Sequence, residues 1–170
     1  MPTVGEDGAV AASPYRICFV CLGNICRSPM ASVVMRRLVA DAGLDIQVDS
    51  AGTGSWHVGG PADHSALRAM TKGGYDGSTH VARQFSARDF AAYDLVVGLD
   101  RQNVRDLRRM APDPAAAARI RLLRDFAPDG EPDLDVTDPY GGPDDGFDEA
   151  LEVVFAACRG LLDTLPAAAR

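Results

Sequence analysis

Residues 19–31 read FVCLGNICRSPMA. Cys21 and Arg27 stand at the two ends of a short loop made of Leu22, Gly23, Asn24, Ile25 and Cys26, and Ser28-Pro29 follows directly. A thiolate is a strong nucleophile, and it is favoured beside a guanidinium and free backbone amides. The planar fork of arginine matches two phosphate oxygens at once, which lysine cannot do. Amides without a strand partner, set just before a helix N-terminus, wrap into a nest for a tetrahedral oxyanion. Residues Leu22, Gly23, Asn24, Ile25, Cys26, Arg27 and Ser28 are therefore read as a phosphate-binding segment. A Cys21 thiolate beneath phosphorus, with Arg27 and the amides on the equatorial oxygens, is arranged for in-line phosphoryl transfer to sulfur. Ser28 is placed to donate a hydrogen bond to that thiolate. Taken singly, the same residues read equally as a core cysteine, a solvated arginine and a capping serine. Their conjunction after an apolar run favours phosphate chemistry.

Expelling an alkoxide or phenolate also needs a general acid. There are 24 carboxylates in the chain, and spacing does not choose among them. The stretch DVTDPYGGPDDGF stands out because Asp138 precedes a proline, an aromatic and two glycines, a rigid-then-flexible loop. By itself this stretch reads as well as a plain β-turn.

These groups must be held by regular elements. RICFVC (16–21) is an apolar run of the kind found in a buried parallel strand. Ser28 is expected to cap the next helix with Pro29 in its first position; Met30, Val34 and Leu38 recur at helical spacing, and Gly43 supplies the stop. Residues 45–50 and 93–100 read as further strands, and RIRLLRDF holds a last short one. Helices are expected over PADHSALRAMTKGG, RQNVRDLRRM and the final segment, where Phe147, Leu151, Val154, Phe155, Cys158, Leu161, Leu162 and Leu165 mark one face. Strands alternating with helices predict a doubly wound α/β domain, a parallel sheet covered on both sides.

The chain has 170 residues, 46% of them hydrophobic, enough for one domain with a full core. Its net charge of −7 argues against nucleic acid as the main partner, though not against one positive cleft. Lys72 is the only lysine, which fits coding bias in a GC-rich bacterial genome. Residues 1–14 have neither a basic start nor an apolar block and read as a disordered tail, not a signal peptide. No run is long enough to span a bilayer, and a cytoplasmic location without membrane association is expected. The loop lacks the Gly-x-x-x-x-Gly-Lys-Ser/Thr and Gly-x-Gly-x-x-Gly patterns, so a nucleotide is not expected. Of the four cysteines, Cys18 and Cys21 have the spacing of a redox or zinc pair, but strand alternation turns Cys18 away from Phe19's face. No second pair completes a metal site, and none is expected.

VCLGNICRSPMA resembles the phosphate loop of the low-molecular-weight protein tyrosine phosphatases, and DPYGG resembles their general-acid loop. DSAGTGSWHVGGPAD, HVARQF, DFAAYDLVVGLDRQN and the last helix follow in that family's order, so the likeness covers about residues 15 to 165. The resemblance implies a single three-layer domain over 15–170, with a four-stranded parallel twisted sheet and helices on both faces. It implies metal- and cofactor-independent hydrolysis of phosphotyrosine in proteins through a phosphocysteine. Carried over, Cys21 is the nucleophile, Arg27 holds the phosphoryl group, and Asp138 protonates the leaving phenolate and then activates water. Asn24, Ser28 and Ser50 brace the loop, with His80 behind them, and Trp56 and Tyr140 wall the cleft. Many relatives carry a second aromatic after the first in the acid loop; Gly141 stands there in this chain, leaving one wall open. Bacterial members are often associated with tyrosine kinases, and such a kinase and its targets are candidate partners.

Three other readings compete. Related arsenate reductases pass a disulfide outward through further cysteines, and none occurs between Cys26 and Cys158. Related protein-arginine phosphatases typically have threonine where Ile25 stands; an apolar side chain there favours an aromatic ring over a guanidinium. A non-catalytic phosphate-binding or redox-sensing module would have no reason to keep Cys21, Arg27 and Asp138 together. Cys26 lies close enough to trap an oxidised Cys21 as a disulfide, and reads equally as a small buried filler. Cys158 belongs to the apolar face of the last helix.

Overall fold

A computed structural model describes residues 13–128 and 133–170; the expected tail lies, over residues 1–12, outside the described residues. The elements run β1 (Tyr15–Cys21), α1 (Arg27–Asp41), β2 (Ile46–Gly52), α2 (His64–Lys72), β3 (Leu95–Gly98), α3 (Arg101–Met110), α4 (Pro114–Ala117), β4 (Ile120–Leu122) and α5 (Asp144–Thr164). Short 3₁₀ turns occupy Ala87–Ala92, Leu123–Phe126 and Ala167–Ala169. The strands form one all-parallel sheet in the order β2-β1-β3-β4.

Alternation along β1 builds a core on each face. Ile17 and Phe19 pack with Met30, Val34, Phe147 and Val154 of α1 and α5. Cys18 and Val20 pack on the other side with Phe85, Phe90, Val104 and Leu107. Burying β1 on both faces is why it reads as an unbroken apolar run. Cys18 therefore belongs to the layer opposite Phe19, and burial pushes its thiol up to about 12 against the opposing pull of Arg83. Cys158 is fully buried in α5, and burial raises its thiol as well.

The chain leaves β1 toward β2 on one side and reaches β3 on the other. The crevice beyond the carboxyl ends of β1 and β3 is thus the topological switch point, where open α/β sheets place their sites. Two local expectations are corrected. The first helical residue is Arg27, with Cys26 at the N-cap, so Ser28 is not the cap and Pro29 is third. The serine hydroxyl is free for another use, described below. Phe155, expected on the apolar face of α5, is 37% exposed, and the Arg159 guanidinium stands 5.9 Å from its ring centroid.

Candidate active site

The turn from β1 into α1 has a specific local cause. Asn24 adopts φ 55°, a left-handed conformation that asparagine tolerates better than most residues. Its side chain is fully buried and fully employed: Nδ2 donates to Ser28 Oγ (2.8 Å) and Ser50 Oγ (2.9 Å), and Oδ1 accepts from the Arg83 amide (3.0 Å). His80 Nε2 lies 2.6 Å from the Asn24 carbonyl oxygen, which can only accept, so the proton resides on Nε2. Burial lowers the His80 pKa, consistent with a neutral ring. Gly52 is the close-approach point beneath the loop, because a Cβ there would stand 2.7 Å from the Leu22 carbonyl oxygen and 3.1 Å from the Asn24 nitrogen.

This bracing fixes the groups that face the loop interior. Cys21 Sγ is 2.9 Å from Ser28 Oγ and accepts from the Asn24 amide at 3.3 Å. The serine, read both as the helix cap and as a partner of the thiolate, does not cap the helix; its Oγ lies against the cysteine sulfur. Among the described residues, the amides of Gly23, Ile25, Cys26 and Arg27 donate to no acceptor of the protein. A cluster of amides without a protein acceptor, at a helix N-terminus and along the cleft, is what an oxyanion requires.

Arg27 is 3% exposed. Its Nη1 donates to Asp100 Oδ2 (2.6 Å) and to the Val136 carbonyl (2.9 Å), and its Nη2 lies 3.7 Å from Asp138 Oδ2. Burial works against the guanidinium charge, but the Asp100 hydrogen bond and the neighbouring Cys21, Asp138 and Asp100 charges outweigh it and raise the pKa. Asp100 serves twice: Oδ1 caps α3 by accepting from the Asn103 amide (2.7 Å) while Oδ2 holds Arg27. Asp100, Arg83 and Val136 were absent from the sequence-based site. The sequence reading placed Asp100 at the end of a strand run; an aspartate ahead of a helical pattern is the signal that could have marked it as a cap.

Asp138 lines the same cleft, with a side chain 45% exposed, and its Oδ1 accepts from the Tyr140 amide at 3.1 Å. The Pro139–Gly142 turn closes with a 3.0 Å hydrogen bond, and Gly141 takes φ +77°, the position where such a turn favours glycine. The cleft encloses about 120 Å³ between Ile25, Trp56, His57 and Tyr140, with Cys21 and Arg27 also in its lining. Trp56 lies over Gly54, where any Cβ would collide with the indole, and remains 72% exposed. His57, which the sequence reading gave no role, is a further wall: its ring is 6.1 Å from that of Tyr140 at 56°. Of the expected residues, Cys21, Leu22, Gly23, Ile25, Cys26, Arg27, Trp56, Asp138 and Tyr140 line the cleft. Ser50 and His80 lie behind the loop, against Asn24.

A cysteine beneath an amide nest, an arginine at the helix start and a carboxylate across the cleft define a cysteine-centred phosphate-loop protein of the three-layer α/β class. The chain belongs to the low molecular weight phosphotyrosine protein phosphatase family, whose model matches residues 16–170. It is 54% identical over 151 residues to the low molecular weight protein-tyrosine-phosphatase of Streptomyces coelicolor, covering 87% of this chain and 92% of that one. A protein tyrosine phosphatase from Entamoeba histolytica, crystallised with Hepes in its active site, superposes with a TM-score of 0.83. That pair is 32% identical, covering 88% of this chain and 95% of the other. The arginine phosphatase YwlE, solved as a mutant with a phosphorylated active-site serine, gives 0.79 at 26% identity, over 88% and 95% of the two chains.

Proposed function

We propose that the protein hydrolyses phosphotyrosine in proteins through a phosphocysteine, and that the observation carrying this reading is Cys21 Sγ set between Ser28 Oγ and the Asn24 amide at the base of unpaired loop amides. The Cys21 thiolate attacks phosphorus from the side opposite the leaving oxygen. As the S–P bond forms and the P–O bond breaks, the carboxyl proton of Asp138 passes to the phenolate. Arg27 and the loop amides carry the equatorial oxygens and stabilise the charge that develops on them. Asp138, now a carboxylate, takes a proton from water as its oxygen attacks phosphorus. The S–P bond breaks, phosphate leaves and the thiolate returns. Asn24, Ser28, Ser50 and His80 act by holding the loop's shape.

Ile25 and the aromatic walls favour a flat ring, which supports phosphotyrosine over phosphoarginine. Phosphotyrosine peptide is expected to be turned over with a kcat/KM on the order of 100-fold above a phosphoarginine peptide of the same sequence, the discrimination one well-fitted wall supplies. Vanadate should inhibit both reactions and EDTA neither. A preference for phosphoarginine would overturn the assignment. We place the protein in the cytoplasm, a location supported by its four unpaired cysteines. Among the described residues no helix is long and apolar enough to cross a membrane. A bacterial tyrosine kinase and its targets are the partners this reading implies.

Cys26 is 4% exposed, shares the cleft lining with Cys21, and has its thiol raised by burial and by the nearby Asp63 and Asp138 charges. We assign it to trapping: peroxide converts the Cys21 thiolate to a sulfenic acid, Cys26 sulfur displaces water from it, and a disulfide forms. After a brief peroxide pulse, mass spectrometry is expected to find a 21–26 disulfide and thiol treatment to restore activity. Irreversible loss without that linkage would leave Cys26 as packing.

A further inference from the structure

Away from the cleft, α3 and β4 enclose a groove of about 470 Å³ rimmed by Arg101, Arg105, Arg108 and Arg121. The first three recur at helical spacing along α3, so they share a face. Val104, Ile120 and Leu122 form the nearly closed floor, and Leu134, 41% exposed, stands in the wall. Arg101 is paired with Asp135 (Nε to Oδ1, 3.2 Å). The other three arginines are exposed and form no ion pair among the described residues. Arg105 Nη2 donates to Gln102 Oε1 (2.8 Å), and the Arg121 guanidinium lies 4.8 Å from the centroid of the Phe126 ring. Among the described residues, Asp125 is the one acid in the lining. On a chain of net charge −7, three of these four arginines stand together without an ion pair among the described residues.

The groove's position connects it to the cleft. Asp100, which holds Arg27, adjoins Arg101; Val136, whose carbonyl accepts from Arg27, is two residues from Leu134. Among the described residues β4 is also the last strand of the sheet, and its outer edge has no strand partner. A charged rim, an apolar residue and an open strand edge suit an extended acidic peptide better than a nucleic acid, which would be repelled by the remaining surface.

We propose that this groove docks an acidic, extended segment of the protein substrate, beside the phosphorylated residue held in the cleft. The assignment rests on the phosphatase reading above. The test compares two phosphotyrosine peptides that differ only in carrying an Asp/Glu run or a Ser/Gly run beside the phosphorylated residue, with p-nitrophenyl phosphate as control. The acidic peptide is expected to show a KM lower by about five- to tenfold, a gap that shrinks in high salt. An Arg105→Glu/Arg108→Glu variant should close the gap and leave p-nitrophenyl phosphate turnover as in the wild type. Should that variant unfold, Arg108→Gln alone should narrow the gap. Equal KM values in the wild type, or a gap that survives the substitutions, overturn the proposal while leaving the phosphatase reading intact. Fluorescence anisotropy with the unphosphorylated acidic peptide reads docking without turnover, so inactivity on every substrate overturns the phosphatase reading separately. Tighter binding of a labelled oligonucleotide than of the acidic peptide would overturn docking in favour of nucleic acid.

Discussion

Cys21→Ser is expected to leave a folded protein that turns over p-nitrophenyl phosphate on the order of 10⁵-fold more slowly, the scale seen when a covalent nucleophile is removed. The structural cost is small, because one chalcogen replaces another at a site 3% exposed whose partners, Ser28 Oγ and the Asn24 amide, both suit an oxygen. The chemical cost is large. An alcohol does not ionise near neutral pH, so the loop that stabilises a thiolate finds no anion to present to phosphorus. The amides of Gly23, Ile25, Cys26 and Arg27 remain, so the variant still binds phosphotyrosine peptides, measurable by calorimetry. Turnover at the wild-type rate would remove Cys21 from the mechanism.

Asp138→Asn is expected to lower kcat for phenyl phosphate by about 10²- to 10³-fold, the usual contribution of a positioned acid. The loss should fall to about tenfold or less for leaving groups that depart without a proton. The substitution keeps the Tyr140 amide contact in shape but removes both the proton and the charge that lies 3.7 Å from Arg27. Asp100→Asn supplies the contrast: it loosens Arg27 and should slow all leaving groups alike. Equal losses for good and poor leaving groups in Asp138→Asn would assign proton donation elsewhere.

The two carboxylates show why part of the site was legible in the sequence and part was not. Asp138 sits in a stretch whose proline, aromatic and glycines mark a loop, and in a resemblance specific enough to name it. Asp100 carries only the mark of a helix cap, and its second contact, with Arg27, spans 73 positions of sequence. The same holds for Arg83, whose backbone amide rather than its side chain reaches Asn24, and for Gly52, where a Cβ would stand 2.7 Å from the Leu22 carbonyl oxygen. His57 had no pattern to flag it and is a wall because Tyr140 folds to meet it.

The local terms are written in the chain: an apolar run for a doubly buried strand, a Cys–Arg loop ahead of a helix, and alternating elements that specify a parallel sheet. These follow from periodicity and from what a thiol and a guanidinium can do. Tertiary structure decided the rest. Of the two uses the sequence offered Ser28, cap or partner of the Cys21 sulfur, the choice was settled by Cys26 taking the cap position. Which acids face Arg27 was settled by β3 lying beside β1, which brings the start of α3 to the phosphate loop. Contacts of that kind depend on strand order, and strand order is a property of the whole packed sheet, not of any stretch within it.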